Sequence, residues 1–217
     1  MNTIIPTVFA ITRSEFQKRL TKLSFAKHIH IDIMDGGFVR THSLPFSSIP
    51  DLTHLPNDFE AHLMVRYPWR YIKKLKQKGL KKVIFHFESL MESKIPKFIE
   101  EINSLRMVAV IAVNPETSIK KITPFLSSVE GVLIMGVHPG REHQHLIRST
   151  YKKILELRRI DPLVIIQVDG GVSQKNIRRL ARVGASLFNV GSSIANANNP
   201  KRVFSSLERV LKGKKRI

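Results

Sequence analysis

Short apolar segments alternate with amphipathic segments along the whole chain, a pattern that predicts repeated strand–helix units around a parallel sheet. The apolar runs predict eight strands, at residues 3–9, 28–34, 59–65, 82–87, 107–113, 131–137, 163–168 and 186–190. Helical periodicity lies between them, near residues 13–24, 68–78, 92–104, 117–126, 147–159, 173–183 and 199–211. The second strand is followed instead by a polar, proline-containing stretch, 35–57, where we expect a short helix or none.

The number and order of these elements predict the fold class. Eight strands joined by crossover helices, with no break in composition, favour one closed barrel over an open sheet. The chain has 217 residues, of which 42% are hydrophobic, and this is enough for one sizeable core. We therefore expect a single-domain (β/α)₈ TIM barrel that spans residues 1–217.

Composition narrows the chemistry and the location. There is no cysteine, which excludes disulfides and thiolate ligands, so a bound metal ion would need imidazole and carboxylate ligands. No stretch approaches the roughly 20 apolar residues that span a bilayer, and residues 1–10 lack the charged region of a signal peptide. We expect a cytoplasmic protein that does not bind membranes.

The net charge of +19, from 36 basic and 17 acidic residues, favours anionic partners of some kind. Lysine and arginine recur on nearly every predicted helix, and only 7% of residues are aromatic, which is not typical of a nucleic-acid-binding surface. Two runs, Lys73–Lys78 and Lys212–Arg216, could still attract polyanions. We interpret most of the charge as a solvated surface and do not expect nucleic acid as the partner.

The second predicted strand carries polar residues where a barrel strand, covered on both faces, should be apolar. It reads His28-Ile-His-Ile-Asp-Ile-Met34, so His30, Asp32 and Met34 share one face and three isoleucines share the other. The isoleucines suit the helix layer, which turns His30 and Asp32 into the barrel. Burying an unpaired carboxylate is costly, so Asp32 needs a cation, a hydrogen-bond network or a metal ion.

Two further strands bring polar residues to the same end of the barrel, where active sites of this architecture are built. The third strand places His62 and Met64 on one face near its end, and the seventh strand delivers Asp169. His30, Asp32, His62 and Asp169 together offer a four-coordinate nitrogen and oxygen site for Zn²⁺, Fe²⁺ or Mn²⁺. From the spacings alone, a buried ion-paired network without a metal explains these residues equally well.

Glycine-containing turns follow the last two predicted strands. Gly170-Gly171 opens the helix after the seventh strand, and Gly191-Ser192 follows the eighth. Loops at these places, with free N–H groups at helix starts, are the usual phosphate-binding site of barrel enzymes. One such turn would be ordinary, but the two together predict a phosphate site formed by Gly170, Gly171, Gly191 and Ser192.

The sequence resembles the ribulose-phosphate 3-epimerases, a family of ribulose-phosphate-binding barrels. The similarity runs in family order from residue 30 to about 194. The matching blocks are His30-Ile-Asp-Ile-Met-Asp-Gly36, Phe38-Val39, His62-Leu-Met-Val65, Phe85-His86-x-Glu88, Asn114-Pro115, Met135, Pro139-Gly140, Val168-Asp-Gly-Gly-Val172 and Gly191-Ser192. The first strand matches more weakly.

The resemblance implies one divalent metal ion (zinc, iron or manganese) held by His30, Asp32, His62 and Asp169. It also implies that Asp32 and Asp169 exchange protons with C3 of a phosphorylated ketose. That substrate would be D-ribulose 5-phosphate, converted to D-xylulose 5-phosphate through a metal-stabilised enediolate, a reaction of the pentose phosphate pathway and carbohydrate metabolism. Since the proton leaves one face of C3 and returns to the other, two carboxylates must flank this carbon. Three methionines match those that line the family's pocket, although barrel filling would account for them equally: Met34, Met64 and Met135.

The chain departs from the family in the regions that contact the substrate. The family's Pro-Gly-Phe-Gly-Gly-Gln lid reads Pro139-Gly-Arg-Glu-His-Gln144 here, which keeps Gly140, loses two glycines and limits positive φ values. Arg141 could supply a charge-assisted contact to phosphate instead. The family's serine near the end of the first strand corresponds to Ala10, and its His-Phe-Val-Pro-Asn stretch has become Gly37-Phe-Val-Arg-Thr41.

These departures leave alternative functions open. The altered lid motivates epimerisation of another ketose phosphate, such as allulose 6-phosphate. The charge of +19 motivates a barrel that has lost activity and binds RNA or another polyanion. Retention of all four predicted ligands argues against that last interpretation. From the resemblance we also expect a homo-oligomer.

Overall fold

Eight parallel strands close into one barrel in the order of the chain, and β8 pairs with β1. The computed structural model describes residues 2–141 and 143–213. The strands are β1 (Thr3–Val8), β2 (His28–Met34), β3 (Asp58–Met64), β4 (Leu80–His86), β5 (Val108–Val113), β6 (Gly131–Met135), β7 (Ile165–Asp169) and β8 (Leu187–Val190). The predicted (β/α)₈ TIM barrel is confirmed, with all eight strands at the predicted places.

Seven α-helices surround the barrel in the described part of the chain. They are α1 (Arg13–Leu23), α2 (Ile72–Gln77), α3 (Ile95–Ser104), α4 (Ser149–Ile160), α5 (Ile177–Arg182), α6 (Ser192–Ala195) and α7 (Pro200–Leu211). Each of these helices is too short or too polar to cross a membrane. Residues 214–216 of the predicted polyanion-attracting run Lys212–Arg216 lie outside the described residues.

Capping explains why α1 begins where the sequence predicted. The hydroxyl of Thr12 accepts a hydrogen bond from the N–H of Glu15 (3.2 Å), and the Glu15 carboxylate accepts one from the N–H of Ile11 (3.1 Å). The first bond satisfies an N–H group that a helix start leaves free, and the second ties Glu15 to the residue before the cap. Such a cap contributes about 1 kcal/mol.

Other helical predictions need correction. The segment 117–126 forms two 3₁₀ turns, Ile119–Lys121 and Thr123–Ser128, because Pro124 has no N–H to continue an α-helix. Pro68 similarly starts a 3₁₀ turn that delays α2 to Ile72. The stretch 35–57 holds only a 3₁₀ turn, Phe46–Ser48, as expected. The short helix α6 after β8 was not predicted.

The core has two layers. The larger layer lies between the barrel and the helices and includes Ile29, Ile31 and Ile33, which confirms that the isoleucine face of β2 points outward to the helices. The smaller layer fills the barrel interior at β4, β5 and β6 with apolar side chains: Ile84, Val110, Ala112, Leu133, Met135 and Val137. On the opposite side of the interior, β2, β3, β7 and β8 supply buried polar residues instead.

Candidate active site

The polar side chains of β2, β3 and β7 meet at the C-terminal end of the barrel. Asp32 lies opposite His62 in the register of β2 and β3. Its Oδ1 is 3.2 Å from Nε2 of His30 and 3.1 Å from Nδ1 of His62. Asp169 Oδ2 lies 3.5 Å from the same Nδ1 of His62. One ligand atom from each of these four residues lies within 4.8 Å of every other, so the four predicted ligands are brought together.

This donor set fits a divalent metal ion. It consists of two imidazole nitrogens and two carboxylates, which is a common set for zinc, iron or manganese. Asp32 and Asp169 are 11% and 14% exposed, and within the described residues neither is paired with a lysine or arginine. A bound cation stabilises two neighbouring carboxylates that have no lysine or arginine partner. The cluster could therefore hold the ion that the sequence predicted.

Burial and mutual contact change the proton affinities in this cluster. Burial alone would lower the pKa of His30, but hydrogen bonds to Asp32 and Glu60 outweigh it and raise this pKa to about 10. Burial also opposes ionisation of Asp32, yet hydrogen bonds from His30 and His62 hold its pKa below the usual value. Burial and repulsion from Asp32 raise the pKa of Asp169. The two carboxylates therefore have unequal proton affinities, as a proton-transfer pair requires.

A buried hydrogen-bond network orients His30. Its Nδ1, on the side away from the cluster, lies 2.6 Å from Oε1 of Glu60. The side chain of Gln167 donates to the same Oε1 (2.6 Å) and to Oδ1 of Asn189 (2.7 Å). A carboxylate bound to the outer nitrogen of a metal-ligating imidazole fixes its tautomer and ring orientation.

His62 has a different neighbour on its outer side. Its Nε2 lies 2.9 Å from Nε2 of His86, at the end of β4. The Nδ1 of His86 in turn lies 3.3 Å from Oε2 of Glu88. Burial lowers the pKa of His86 to about 4, which keeps this imidazole neutral at physiological pH.

Sequence reasoning assigned no role to several of these supporting residues. The alternation that identified His62 and Asp169 also places Glu60 and Gln167 on the same inward faces, two residues earlier in each strand. Each is a buried polar residue in an apolar strand, and that signal could have found both. The contact between His62 and His86 depends on the pairing of β3 with β4, which the alternation does not specify.

A cavity of about 1040 Å³ opens above the cluster. Asp32 and Asp169 lie at its surface, whereas His30 and His62 are fully buried below. All the other predicted site residues line this cavity: Met34, Met64, Met135, Gly140, Arg141, Gly170, Gly171, Gly191 and Ser192. The methionines form an apolar wall beside the two aspartates, as a pocket of this kind requires.

The Gly170-Gly171 turn requires glycine for steric reasons. Its two φ values are +93° and +69°, in the left-handed region. A Cβ atom added to Gly171 would lie 2.4 Å from the backbone nitrogen of Leu146, so the chain after β6 packs directly on this turn. After β8, Gly191 immediately precedes α6, which begins at Ser192. The two predicted phosphate-binding turns therefore border the same cavity.

The altered loop after β6 is held in place by its own side chains and by the segment after β2. Thr41 donates a hydrogen bond to the carbonyl of Gly140 (2.5 Å), and Gln144 donates to the carbonyls of His138 (2.7 Å) and Arg141 (2.9 Å). His143 has a φ of +62° at a position where the family has glycine, so this loop keeps a positive φ without one. Glu142 lies outside the described residues.

A hydroxyl group from β1 lines the cavity, at a residue other than the one matched to the family's serine. Ala10 is buried and does not line the cavity, whereas Thr7, three residues earlier, does. The Thr7 hydroxyl is buried without a hydrogen-bond partner in the described structure. A buried hydroxyl of this kind is available to a polar ligand.

Cationic side chains line the outer part of the cavity, between the loop after β6 and α5. They are Arg141, Arg148, Lys152, Lys175 and Arg179. Across residues 2–141 and 143–213, none of these five side chains has a carboxylate within ion-pair distance, and the salt bridges in this part of the chain involve other cations. A cavity bordered by unpaired positive charge attracts anions.

Comparison with known proteins assigns the chain to a family. A sequence model of the Ribulose-phosphate 3 epimerase family matches residues 3–195. The ribulose-phosphate 3-epimerase of Aquifex aeolicus is 34% identical, covering 79% of this chain and 78% of the relative. That of Schizosaccharomyces pombe is 31% identical, covering 82% of this chain and 79% of the relative.

A solved structure supports the fold independently. The 3-hexulose-6-phosphate synthase of Salmonella typhimurium superimposes with a TM-score of 0.75, covering 99% of this chain and 100% of the other, at 14% identity. At that identity the likeness concerns the barrel alone. The family match and the sequence relatives go further: the chain belongs to the ribulose-phosphate 3-epimerase family and is an isomerase built on a TIM barrel.

Proposed function

We propose that this protein epimerises C3 of a phosphorylated ketose and interconverts D-ribulose 5-phosphate and D-xylulose 5-phosphate. The observation that carries the proposal is the convergence of His30, Asp32, His62 and Asp169 within 4.8 Å at the base of a large cavity. A group of two buried imidazoles and two carboxylates at the cavity surface suits proton transfer beside developing negative charge.

Asp32 and Asp169 are the proposed proton-transfer pair. One carboxylate takes the proton as the C3–H bond breaks, and the electron pair stays on the sugar as an enediolate. The carboxylic acid of the other aspartate then donates its proton to the opposite face of C3. One aspartate must therefore start ionised and the other protonated, which agrees with the lowered pKa of Asp32 and the raised pKa of Asp169.

His30, Asp32, His62 and Asp169 are also the proposed ligands of one divalent ion, zinc, iron or manganese. When bound, this ion would supply Lewis-acid stabilisation of the negative charge on the enediolate oxygens. The protein's own contribution is to hold the two aspartates close to this charge and to keep water away with the methionine wall.

The rest of the cavity suits a sugar phosphate. The turns at Gly170-Gly171 and Gly191-Ser192 offer backbone N–H groups for the phosphate, and Arg141 offers a charge-assisted hydrogen bond. The unpartnered hydroxyl of Thr7 is available to a sugar hydroxyl. These contacts are part of the proposal.

A second substrate is favoured by the altered loop after β6. Arg141 and His143 replace small or apolar family residues at the cavity, whose volume of about 1040 Å³ leaves room for a longer sugar. Allulose 6-phosphate is therefore the alternative substrate. Values of kcat/KM for a panel of ketose phosphates separate the two possibilities, because the better substrate is the one with the higher value.

Solvent-exchange kinetics test the proposed reaction. With a divalent metal added, the C3 proton of D-ribulose 5-phosphate should exchange with deuterium from solvent, and xylulose 5-phosphate should form. Asp32→Asn should lower kcat by at least about 10²-fold while the far-UV circular dichroism stays that of the wild type. If the metal-loaded wild type catalyses neither exchange nor turnover, the proposal is wrong.

Three further properties are proposals of the same kind: cytoplasmic location, assembly into a homo-oligomer, and the absence of a nucleic-acid partner despite the net charge of +19. Tight RNA binding with a steep salt dependence, found together with a metal-free purified protein, would instead favour the polyanion-binding interpretation.

A further inference from the structure

The two histidines of the cluster differ in how they are supported from behind. His30 has a carboxylate directly on its outer nitrogen, since Glu60 lies 2.6 Å from its Nδ1. On His62 the outer nitrogen, Nε2, faces another imidazole, that of His86, at 2.9 Å. The family-like segment Phe85-His86-x-Glu88 thus lies directly behind the cluster, without contacting the cavity.

The two imidazoles meet edge to edge, as a hydrogen bond between ring nitrogens requires. Their planes are 19° apart, and their centroids are 5.0 Å apart while the two Nε2 atoms approach to 2.9 Å. Both side chains are fully buried, and the ring of Phe38 packs on His86 with centroids 4.6 Å apart. Each nitrogen must therefore find its partner in the other ring, with one donating and the other accepting.

Glu88 determines which ring donates. Its Oε2 lies 3.3 Å from Nδ1 of His86. Its Oε1 accepts a hydrogen bond from the N–H of Asn114 (2.8 Å) and another from the hydroxyl of Thr117. A carboxylate can only accept hydrogen bonds, so Nδ1 of His86 must carry the proton and Nε2 of His86 must accept. The proton between the two rings then belongs to Nε2 of His62. Its Nδ1, which faces Asp32 at 3.1 Å, is therefore the nitrogen that a metal ion would take in place of a proton.

We propose that Glu88 and His86 are positioning residues that fix the tautomer of His62, so that its Nδ1 is available to a metal ion. The inference rests on the proposed metal site. In this proposal Glu88 supports His62 as Glu60 supports His30, except that His86 lies between the carboxylate of Glu88 and the imidazole of His62. Partners of this kind on metal-ligating histidines contribute about 10–100-fold to metal affinity or activity.

Glu88→Gln tests the direction of the chain. The N–H of Asn114 and the hydroxyl of Thr117 both donate to Oε1, so they select the carbonyl oxygen of the new amide. The amide NH₂ is then directed at His86, where it donates to Nδ1 and moves the ring proton to Nε2. That proton faces Nε2 of His62 and favours a proton on Nδ1, where the metal should bind.

The matched control is Glu116→Gln. Glu116 also pairs with a histidine, at 3.1 Å from Nδ1 of His138, but both side chains are more than half exposed and lie away from the cluster. The control makes the same chemical change without touching the chain of hydrogen bonds behind His62.

Calorimetric titration of each metal-free protein with Mn²⁺ measures the effect without relying on turnover. We expect about 10–100-fold weaker binding in Glu88→Gln and wild-type binding in Glu116→Gln. Equal affinities in Glu88→Gln and the wild type would overturn this inference alone. Failure of the wild type to bind Mn²⁺, Zn²⁺ or Fe²⁺ would overturn the metal site and the inference with it.

The tautomers can also be read in the wild type, which removes any dependence on how the variants fold. Long-range ¹H–¹⁵N correlation spectra of the ¹⁵N-labelled, zinc-loaded protein distinguish protonated from unprotonated ring nitrogens. We expect a proton on Nδ1 of His86 and on Nε2 of His62. A proton on Nε2 of His86 would refute the proposed direction of the chain.

Discussion

Metal binding at this site should be strongly coupled to pH through His30. In the metal-free protein the pKa of His30 is raised to about 10, although burial opposes it, by hydrogen bonds to Asp32 and Glu60. The proton on its Nε2 must leave before this nitrogen can bind a metal ion. Because pH 7 lies about three units below this pKa, removal of the proton costs about 4 kcal/mol. Metal binding at pH 7 should therefore be about 1000-fold weaker than binding to a protein whose His30 has already lost this proton.

Mn²⁺ titrations between pH 6.5 and 8.5 measure this coupling. We expect the apparent association constant to rise about tenfold per pH unit, and binding at pH 7.5 to release about one proton. Proton release is obtained by repeating the calorimetry in buffers that differ in ionisation enthalpy. An association constant independent of pH over this range, with no buffer dependence of the enthalpy, would refute the reasoning.

Two glutamates near Lys82 provide the variant and its control. Lys82 lies 3.7 Å from Glu60 and 3.3 Å from Glu130, but only Glu60 contacts His30. Glu60→Gln removes one of the negative charges that hold the proton on His30, so the pKa of this histidine should fall. The increase of metal affinity with pH should therefore level off at a lower pH than in the wild type. Glu130→Gln should behave as the wild type does.

The same shift predicts how the stability of the metal-free protein depends on pH. The pKa of His30 rises from 6.5 to about 10 on folding, so its protonation stabilises the fold fully below pH 6.5. This contribution should disappear as the pH rises towards 10, and urea unfolding at pH 6 and pH 9 measures the loss. A metal-free protein equally stable at both pH values would contradict the assignment.

Two further predictions concern other parts of the molecule. Arg148→Gln combined with Lys152→Gln removes unpaired charge from the outer cavity, so kcat/KM at low ionic strength should fall severalfold and depend less on salt. The control is the double variant Lys94→Gln with Lys97→Gln, on or beside α3, which should behave as the wild type does. An unchanged salt dependence of kcat/KM in the variant that lacks Arg148 and Lys152 would contradict the prediction. Arg106 follows α3 with a φ of +54°, a left-handed conformation that glycine adopts without strain. Arg106→Gly should therefore raise the free energy of unfolding in urea by about 1 kcal/mol. A lower urea midpoint than that of the wild type would contradict this prediction.

Periodicity predicted the barrel and the core of its site because both depend on the alternation of residues along single strands. The face of β2 that holds His30 and Asp32 is set by the isoleucines that alternate with them, which belong to the outer core layer. No partner strand is needed for that conclusion. Once eight parallel strands are expected, their C-terminal ends must meet at one rim, and the side chains at those ends must converge.

The supporting contacts could not be predicted in the same way because they depend on pairing between strands. The register of β3 and β4 shifts between Phe59 and Glu60, and this irregularity helps to determine which β4 residue lies behind His62. Alternation places His86 at the end of a strand but does not give that shift. Helix errors had a more local cause, because Pro124 interrupts a segment whose apolar spacing otherwise indicates a helix.

The division of the barrel interior explains why the site and its rim can diverge separately. Apolar side chains from β4, β5 and β6 fill one half and exclude water, which strengthens every electrostatic interaction in the other half. There, Glu60, Gln167 and Asn189 form buried hydrogen bonds around His30, below the level of the cavity. Arg141 and His143, in the changed loop after β6, line the same cavity as Asp32 and Asp169, the proposed proton-transfer pair, but are not members of the cluster below it. We therefore expect changes in this loop to alter substrate preference, and changes behind the histidines to affect every substrate alike.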